Sequence, residues 1–164
     1  ENLNKLLQNA LNPSNTKKSF KKNKKVSGYT LRKGDKVMQI KNNYLKNVFN
    51  GDIGFIISTD EEKTIVKYSE DEIVYEKDGK DELTLAYAMS VHKSQGSEYK
   101  VIIMPLSLNH KIMLQRNLLY TAVTRAKERV ILIGDKQALK IAVSNDRTRK
   151  RYSLLAERLR SDIF

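Results

Sequence analysis

Two stretches decide the fold: YAMSVHKSQGSE at residues 87–98 and NLLYTAVTRAKE at 117–128. An alternating run, Leu85-Ala86-Tyr87-Ala88-Met89-Ser90-Val91, ends abruptly in the polar turn HKSQGSE. A wholly apolar strand candidate, Val101-Ile102-Ile103-Met104, follows at once. A helical pattern over about 112–127 then leads into a second apolar strand, Val130-Ile131-Leu132-Ile133-Gly134. Strand, polar turn, strand, helix, strand is the rhythm of a parallel α/β sheet, whose chemistry gathers at the strand ends. The pattern predicts that a strand at 84–91 lies beside 101–104. Leu119, Ala122, Val123 and Ala126 recur as an apolar helical stripe, which leaves Asn117, Thr121 and Arg125 on a polar face.

Outward from this centre, the preceding segment reads differently. Lys36–Ile40, Gly54–Ile57, Thr64–Tyr68 and Ile73–Tyr75 are four short strand candidates separated by Gly-, Asp- and Glu-bearing turns. They predict a small meandering β-barrel, with Phe55 in its core. Residues 2–11 carry Leu3, Leu6, Leu7, Ala10 and Leu11 at helical spacing, which predicts a helix packed by its apolar face. Asn12-Pro13 stops that helix. Residues 136–143 and 153–159 read as two further helices.

Lys and Arg number 31 against 19 Asp and Glu, a formal net charge of +12. Such an excess points to a polyanionic partner, because cationic side chains release counterions from a phosphate backbone. The charge is clustered, with six lysines between Lys17 and Lys25 and a second group at Arg147, Arg149, Lys150 and Arg151. There are no cysteines, which excludes disulfides and thiolate metal sites and points to an intracellular, cytoplasmic setting. His92 and His110, the only histidines, are too isolated to form a metal site. The chain starts at Glu1 in what reads as mid-helix, so a piece of a longer protein is expected.

The sequence has no GxxxxGK[ST] phosphate loop and no apolar strand ending in paired acids, so P-loop nucleotide hydrolysis by this chain alone is not expected. HKSQGSE and LLYTAVTRAKE resemble motifs V and VI of superfamily 1 helicases, most closely the RecD/TraA branch. LRKGDKVMQIKNNYLKNVFNGDIGFI looks like the start of the SH3-like barrel that such helicases insert before motif V. The resemblance implies an α/β fold: a partial RecA-like parallel sheet with flanking helices at 1–29 and 84–164, with a small all-β SH3-like barrel inserted at 30–83. It implies the C-terminal portion of an ATP-dependent helicase moving 5′ to 3′ on single-stranded DNA. A first RecA-like domain upstream would hold ATP with Mg²⁺.

Residue by residue, two readings stand side by side. Arg125 is either a solvated helix-end cation or, as the resemblance implies, the arginine that reaches the γ-phosphate. Arg116 is either a second phosphate cation or a surface salt-bridge partner. Gly96 would allow close backbone approach. Glu98 offers a carboxylate for a ribose hydroxyl, a role the resemblance supports. The resemblance also implies that Ser90, Val91, His92 and Lys93 meet DNA phosphates; His92 is otherwise a strand-end cap, and Lys93 otherwise faces solvent. Tyr44 and Phe49, near Lys41 and Lys46, are candidates for base stacking. The competing reading is a stand-alone basic nucleic-acid-binding module. A third makes the parent a conjugative relaxase-helicase or an exonuclease subunit with the same motor.

Overall fold

The computed structural model describes residues 2–14, 30–69, 71–146, 158 and 160. The cationic run at 17–25, the basic cluster at 147–151 and, save Arg158, the helix expected at 153–159 lie outside them. The chain forms two compact units, residues 1–94 and 95–164, so the division falls inside HKSQGSE.

The first unit begins with helix α1 (Asn2–Leu11) and continues into strands β1 (Lys36–Gln39), β2 (Ile53–Thr59), β3 (Lys63–Tyr68), β4 (Asp71–Glu76) and β5 (Leu83–Leu85). These pair in the order β4-β3-β2-β1-β5, every pair antiparallel. The four expected strands are present and a fifth joins them; the pairing is that of an open sheet with β4 and β5 at its edges. One face buries Val37, Ile56, Val66, Tyr75, Leu83 and Leu85 together with Leu31 and Val48. Each such side chain stabilises the fold by about 1.5–3 kcal/mol. A polar chain threads this core. The Tyr68 and Tyr75 hydroxyls lie 2.8 Å apart, Tyr75 donates to Gln39 Oε1 at 2.9 Å, and Gln39 Nε2 donates to Glu82 at 2.8 Å. Burial pushes both tyrosine hydroxyls up, which keeps them protonated as donors.

Three expectations change here. The run after Leu85 does not continue as a strand, and β5 pairs with β1 (Val37↔Leu85, Gln39↔Leu83) rather than with a strand at 101–104. Leu83 and Leu85 alternate into the first unit's core, which decides the pairing. Phe55 is 56% exposed, because Gly54 and Ile56 take the inward positions of β2. A Cβ on Gly54 would meet a Val66 methyl at 2.6 Å, so a side chain there does not fit. Finally, α1 docks through its polar face. Leu3, Leu6 and Leu11 are 49–69% exposed, whereas Asn4, Gln8 and Asn12, at i, i+4 and i+8, share the docked side. Asn4 exchanges two 2.8 Å hydrogen bonds with the backbone of Ala88, occupying it as a neighbouring strand would. Gln8 and Asn12 donate to the two carboxylate oxygens of buried Asp35, which also accepts from Arg32 N and Tyr87 OH.

In the second unit, β6 (Tyr99–Leu106) and β7 (Ala126–Gly134) form a parallel pair, linked by a 3₁₀ segment (Leu108–Met113) and helix α2 (Arg116–Val123); α3 (Lys136–Ser144) follows. This β-α-β order is the expected one. The boundaries differ. Both strands are longer than expected, with Pro105 inside β6, and the helix is shorter. Parallel pairing from Tyr99↔Ala126 onward takes residues that continue the helical pattern. Thr124, whose hydroxyl bonds back to the Tyr120 carbonyl at 2.9 Å, sits at the break. Leu106, Leu114, Ala138 and Ala142 form the core, with Met104 and Leu119 against it. The opposite face of the pair, carrying Val101, Ile103, Ile131 and Ile133, is 38–63% exposed.

Candidate functional site

In the second unit the residues of interest gather where β6 and β7 begin. Arg125 stands in the turn between α2 and β7 rather than on the helix itself. Its backbone is held at both ends: its N–H donates to the Ala122 carbonyl at 3.2 Å, and its own carbonyl accepts from Tyr99 N at 2.8 Å. Its guanidinium reaches back to the Ser97 carbonyl, a long contact of 3.5 Å through Nη1. The Nε–H is buried and has no partner among the described residues. The guanidinium presents its N–H donors in a fixed planar fork, the geometry that suits an oxyanion.

Glu98 lies beside it and pairs with Lys127, Oε2 to Nζ 2.9 Å, both side chains exposed. The hydrogen bond from Lys127 and then its charge hold the Glu98 carboxyl below the usual range, and Arg125 adds to the effect. Gly96 has φ +83°, and nothing in the chain lies within 4 Å of where its Cβ would be. The backbone conformation therefore requires glycine there; close approach to another part of this chain does not. Arg116 forms the salt bridge of its two readings. It contacts Asp146 at 2.9 Å and donates through Nε to the Val143 carbonyl, tying the start of α2 to the end of α3.

In the first unit, Ser90 to Lys93 form a tight polar turn running into a 3₁₀ segment (His92–Ser94). Ser90 Oγ accepts from Lys93 N at 3.4 Å, and Ser94, buried, closes the turn onto the Val91 carbonyl at 2.7 Å. Ser90, His92 and Lys93 are exposed and Val91 is half-buried. A cleft of about 460 Å³, bordered by Leu3, Asn4, Met38, Ala88 and Met89, reaches Ser90 and Lys93. Farther along this unit Tyr44 is 78% exposed, its ring edge-on to Phe49 with 5.9 Å between centroids. Among the described residues no group of His, Asp or Glu could hold a metal ion, and no helix is long and apolar enough to cross a membrane.

Sequence reasoning missed two features. Phe55 stands on the outer sheet face between its cross-strand neighbours Lys36 and Lys67; strict alternation through Gly54 and Ile56 was the available signal. Asp35 in KGDKV reads as a turn residue, and nothing local marks it as the buried acceptor for partners more than 20 residues away on either side.

The sequence matches two family models: an ATP-dependent RecD-like DNA helicase SH3 domain over residues 3–68, and a UvrD-like helicase C-terminal domain over 85–133. Among curated proteins it is 39% identical over 132 residues to an ATP-dependent RecD2 DNA helicase of Deinococcus radiodurans, covering 79% of this chain and 18% of that protein. It is 32% identical over 126 residues to the RecBCD enzyme subunit RecD of Haemophilus influenzae, covering 77% of this chain and 18% of that one. The chain thus spans under a fifth of the length of these two relatives. A structure of Bacteroides Pif1 bound to ssDNA aligns with TM-score 0.54 at 26% identity, over 66% of this chain and 31% of that one. A structure of Pif1 helicase from Bacteroides with ADP-AlF3 and ssDNA aligns over 99% of this chain and 44% of that one, with TM-score 0.63. At 22% identity that second likeness speaks to the fold alone.

Proposed function

This chain belongs to the RecD-like superfamily 1 helicases as their C-terminal portion, and from that premise we propose that it is the far wall of an ATP-dependent, 5′-to-3′ DNA motor. In this reading Arg125 presents its guanidinium to the γ-phosphate of ATP held by a first RecA-like domain of the same longer protein. Glu98, released from or shared with Lys127, meets the ribose, and Gly96 gives the turn its shape. Ser90, Val91, His92 and Lys93 bind phosphates of single-stranded DNA, and Tyr44 contacts a base. In this reading Mg²⁺ is held with the nucleotide by the upstream domain. Arg116 braces α2 against α3 and so keeps the turn bearing Arg125 in place. The open apolar face of β6 and β7 accords with helices that cover it in the longer protein, because parallel sheets are covered on both faces.

The observation that carries the assignment is the place of Arg125, on a turn whose backbone is fixed at both ends and with its Nε–H unpaired among the described residues. A guanidinium held this way costs little to reorganise when charge develops on a phosphoryl oxygen, which is the basis of electrostatic catalysis. The test is Arg125→Ala in the intact helicase. Turnover should fall by about 10³ to 10⁵ with DNA affinity in the absence of nucleotide little changed. Arg125→Lys should restore little, since an ammonium lacks the planar fork. Near-normal ATPase in a folded Arg125→Ala protein would return Arg125 to a surface cation.

A further inference from the structure

The segment at 43–48 is a short loop whose base is fixed and whose tip is apolar. Asn43 and Val48 exchange backbone hydrogen bonds of 2.8 and 3.1 Å, and Val48 is buried. The Asn43 side chain accepts from Lys46 N and donates to Glu82, which joins the loop to the polar chain inside the sheet core. Lys46 lays its ammonium on the Val74 carbonyl at 2.8 Å and 4.5 Å from the centre of the Tyr75 ring. Asn47 holds φ +52°, in the left-handed region that Asn adopts more readily than other non-glycine residues. Below the loop, Phe49 N and Asn50 N are taken by the side chains of Asp52 and Asn42.

Against this fixed base the tip points outward. Leu45 is fully exposed and Tyr44 78% exposed, with Phe49 at 40% steadying the Tyr44 ring edge-on. A mobile loop could fold two such side chains back onto the protein; this one is pinned with them in water. We propose that the loop is a wedge whose Leu45 and Tyr44 cap the exposed face of a terminal base pair, at a junction between duplex and single strand. That face is flat, apolar and π-rich, and it is flanked by phosphates that suit exposed Lys41 beside the loop. Apolar side chains set against base steps are an established way for proteins to hold DNA apart. The proposal rests on the nucleic-acid reading given above and adds to it the structure that the DNA must have.

The test compares binding of the full 164-residue chain to a single strand and to a fork carrying the same single strand, with 2-aminopurine at the last base pair. The fork should bind roughly tenfold tighter, the scale of one stacked base, with a change in 2-aminopurine emission. Leu45→Ser should abolish the preference and the emission change while leaving single-strand affinity within about twofold. Leu45→Phe should retain both, and Leu11→Ser, an equally solvent-facing change on α1, should alter neither. Equal affinity for fork and single strand, or a preference that survives Leu45→Ser, would overturn the wedge but leave single-strand binding standing. Binding to neither DNA would overturn both. A dimer lost on Leu45→Ser would also overturn the wedge, by showing a second copy on the tip.

Discussion

Asp35 is the residue on which most of the first unit's polar order converges. It is fully buried and accepts four hydrogen bonds, from Gln8, Asn12, the Arg32 backbone and Tyr87. Asp35→Asn should cost at least about 2 kcal/mol, because its amide would face donors and leave them unpaired. Tyr87→Phe removes one of the four and should cost about 1 kcal/mol; urea denaturation of the two variants checks the ranking. Glu98 shows the opposite, an exposed pair. Its pKa is lowered by Lys127, so what it adds to stability is present above the ordinary glutamate value near 4.3 and fades as pH falls through the lower folded value. An NMR titration of the Glu98 carboxyl should move up toward the ordinary value in Lys127→Ala. Arg125 was singled out by the resemblance of TAVTRAKE and read onto the polar face of the helix; the structure sets it in the turn that follows. Asp35 was not legible, because its burial depends on partners the local sequence does not contain.

At the level of elements, periodicity gave existence and type, and packing moved the boundaries. Helix α1 was read to its last residue, yet its docking face was inverted, since an apolar stripe predicts burial only if no stronger site competes. Here the backbone of Ala88 and the Asp35 carboxylate offer charged and strand-like partners to an amide ladder. Asn4→Ala should therefore destabilise this chain by about 1 kcal/mol, since the half-buried Ala88 N–H and carbonyl both lose their partner. Leu6→Ser, at a position 67% exposed, should shift stability by less than about 0.5 kcal/mol. Thermal melts of the two variants decide between polar and apolar docking. Gly134 offers a sharper case at the end of β7. Its φ is +134° and a Cβ would lie 1.9 Å from the Leu106 carbonyl oxygen, so Gly134→Ala should disrupt the end of the parallel pair and reduce soluble yield. The final Gly of VILIG was visible as a strand terminator; the contact that makes it irreplaceable was not.

For the molecule as a whole, the chain's +12 charge and missing phosphate loop make a joint prediction. This chain by itself should bind single-stranded DNA weakly and without base preference. The affinity should fall steeply between 50 and 200 mM salt, and no ATP should be hydrolysed with or without DNA. A salt titration by fluorescence anisotropy alongside a phosphate-release assay checks both halves. The pairing of Asn4 with Ala88 also has a consequence in time. The two residues lie 84 positions apart, and at the roughly 5–20 residues per second of synthesis Ala88 is made about 4–17 s after Asn4. Through that interval Asn4 lacks its backbone partner, while Gln8 and Asn12 can already reach Asp35. Helix α1 thus completes its docking only once residue 88 is made, and a nascent chain stalled before that point would hold Asn4 without its backbone partner.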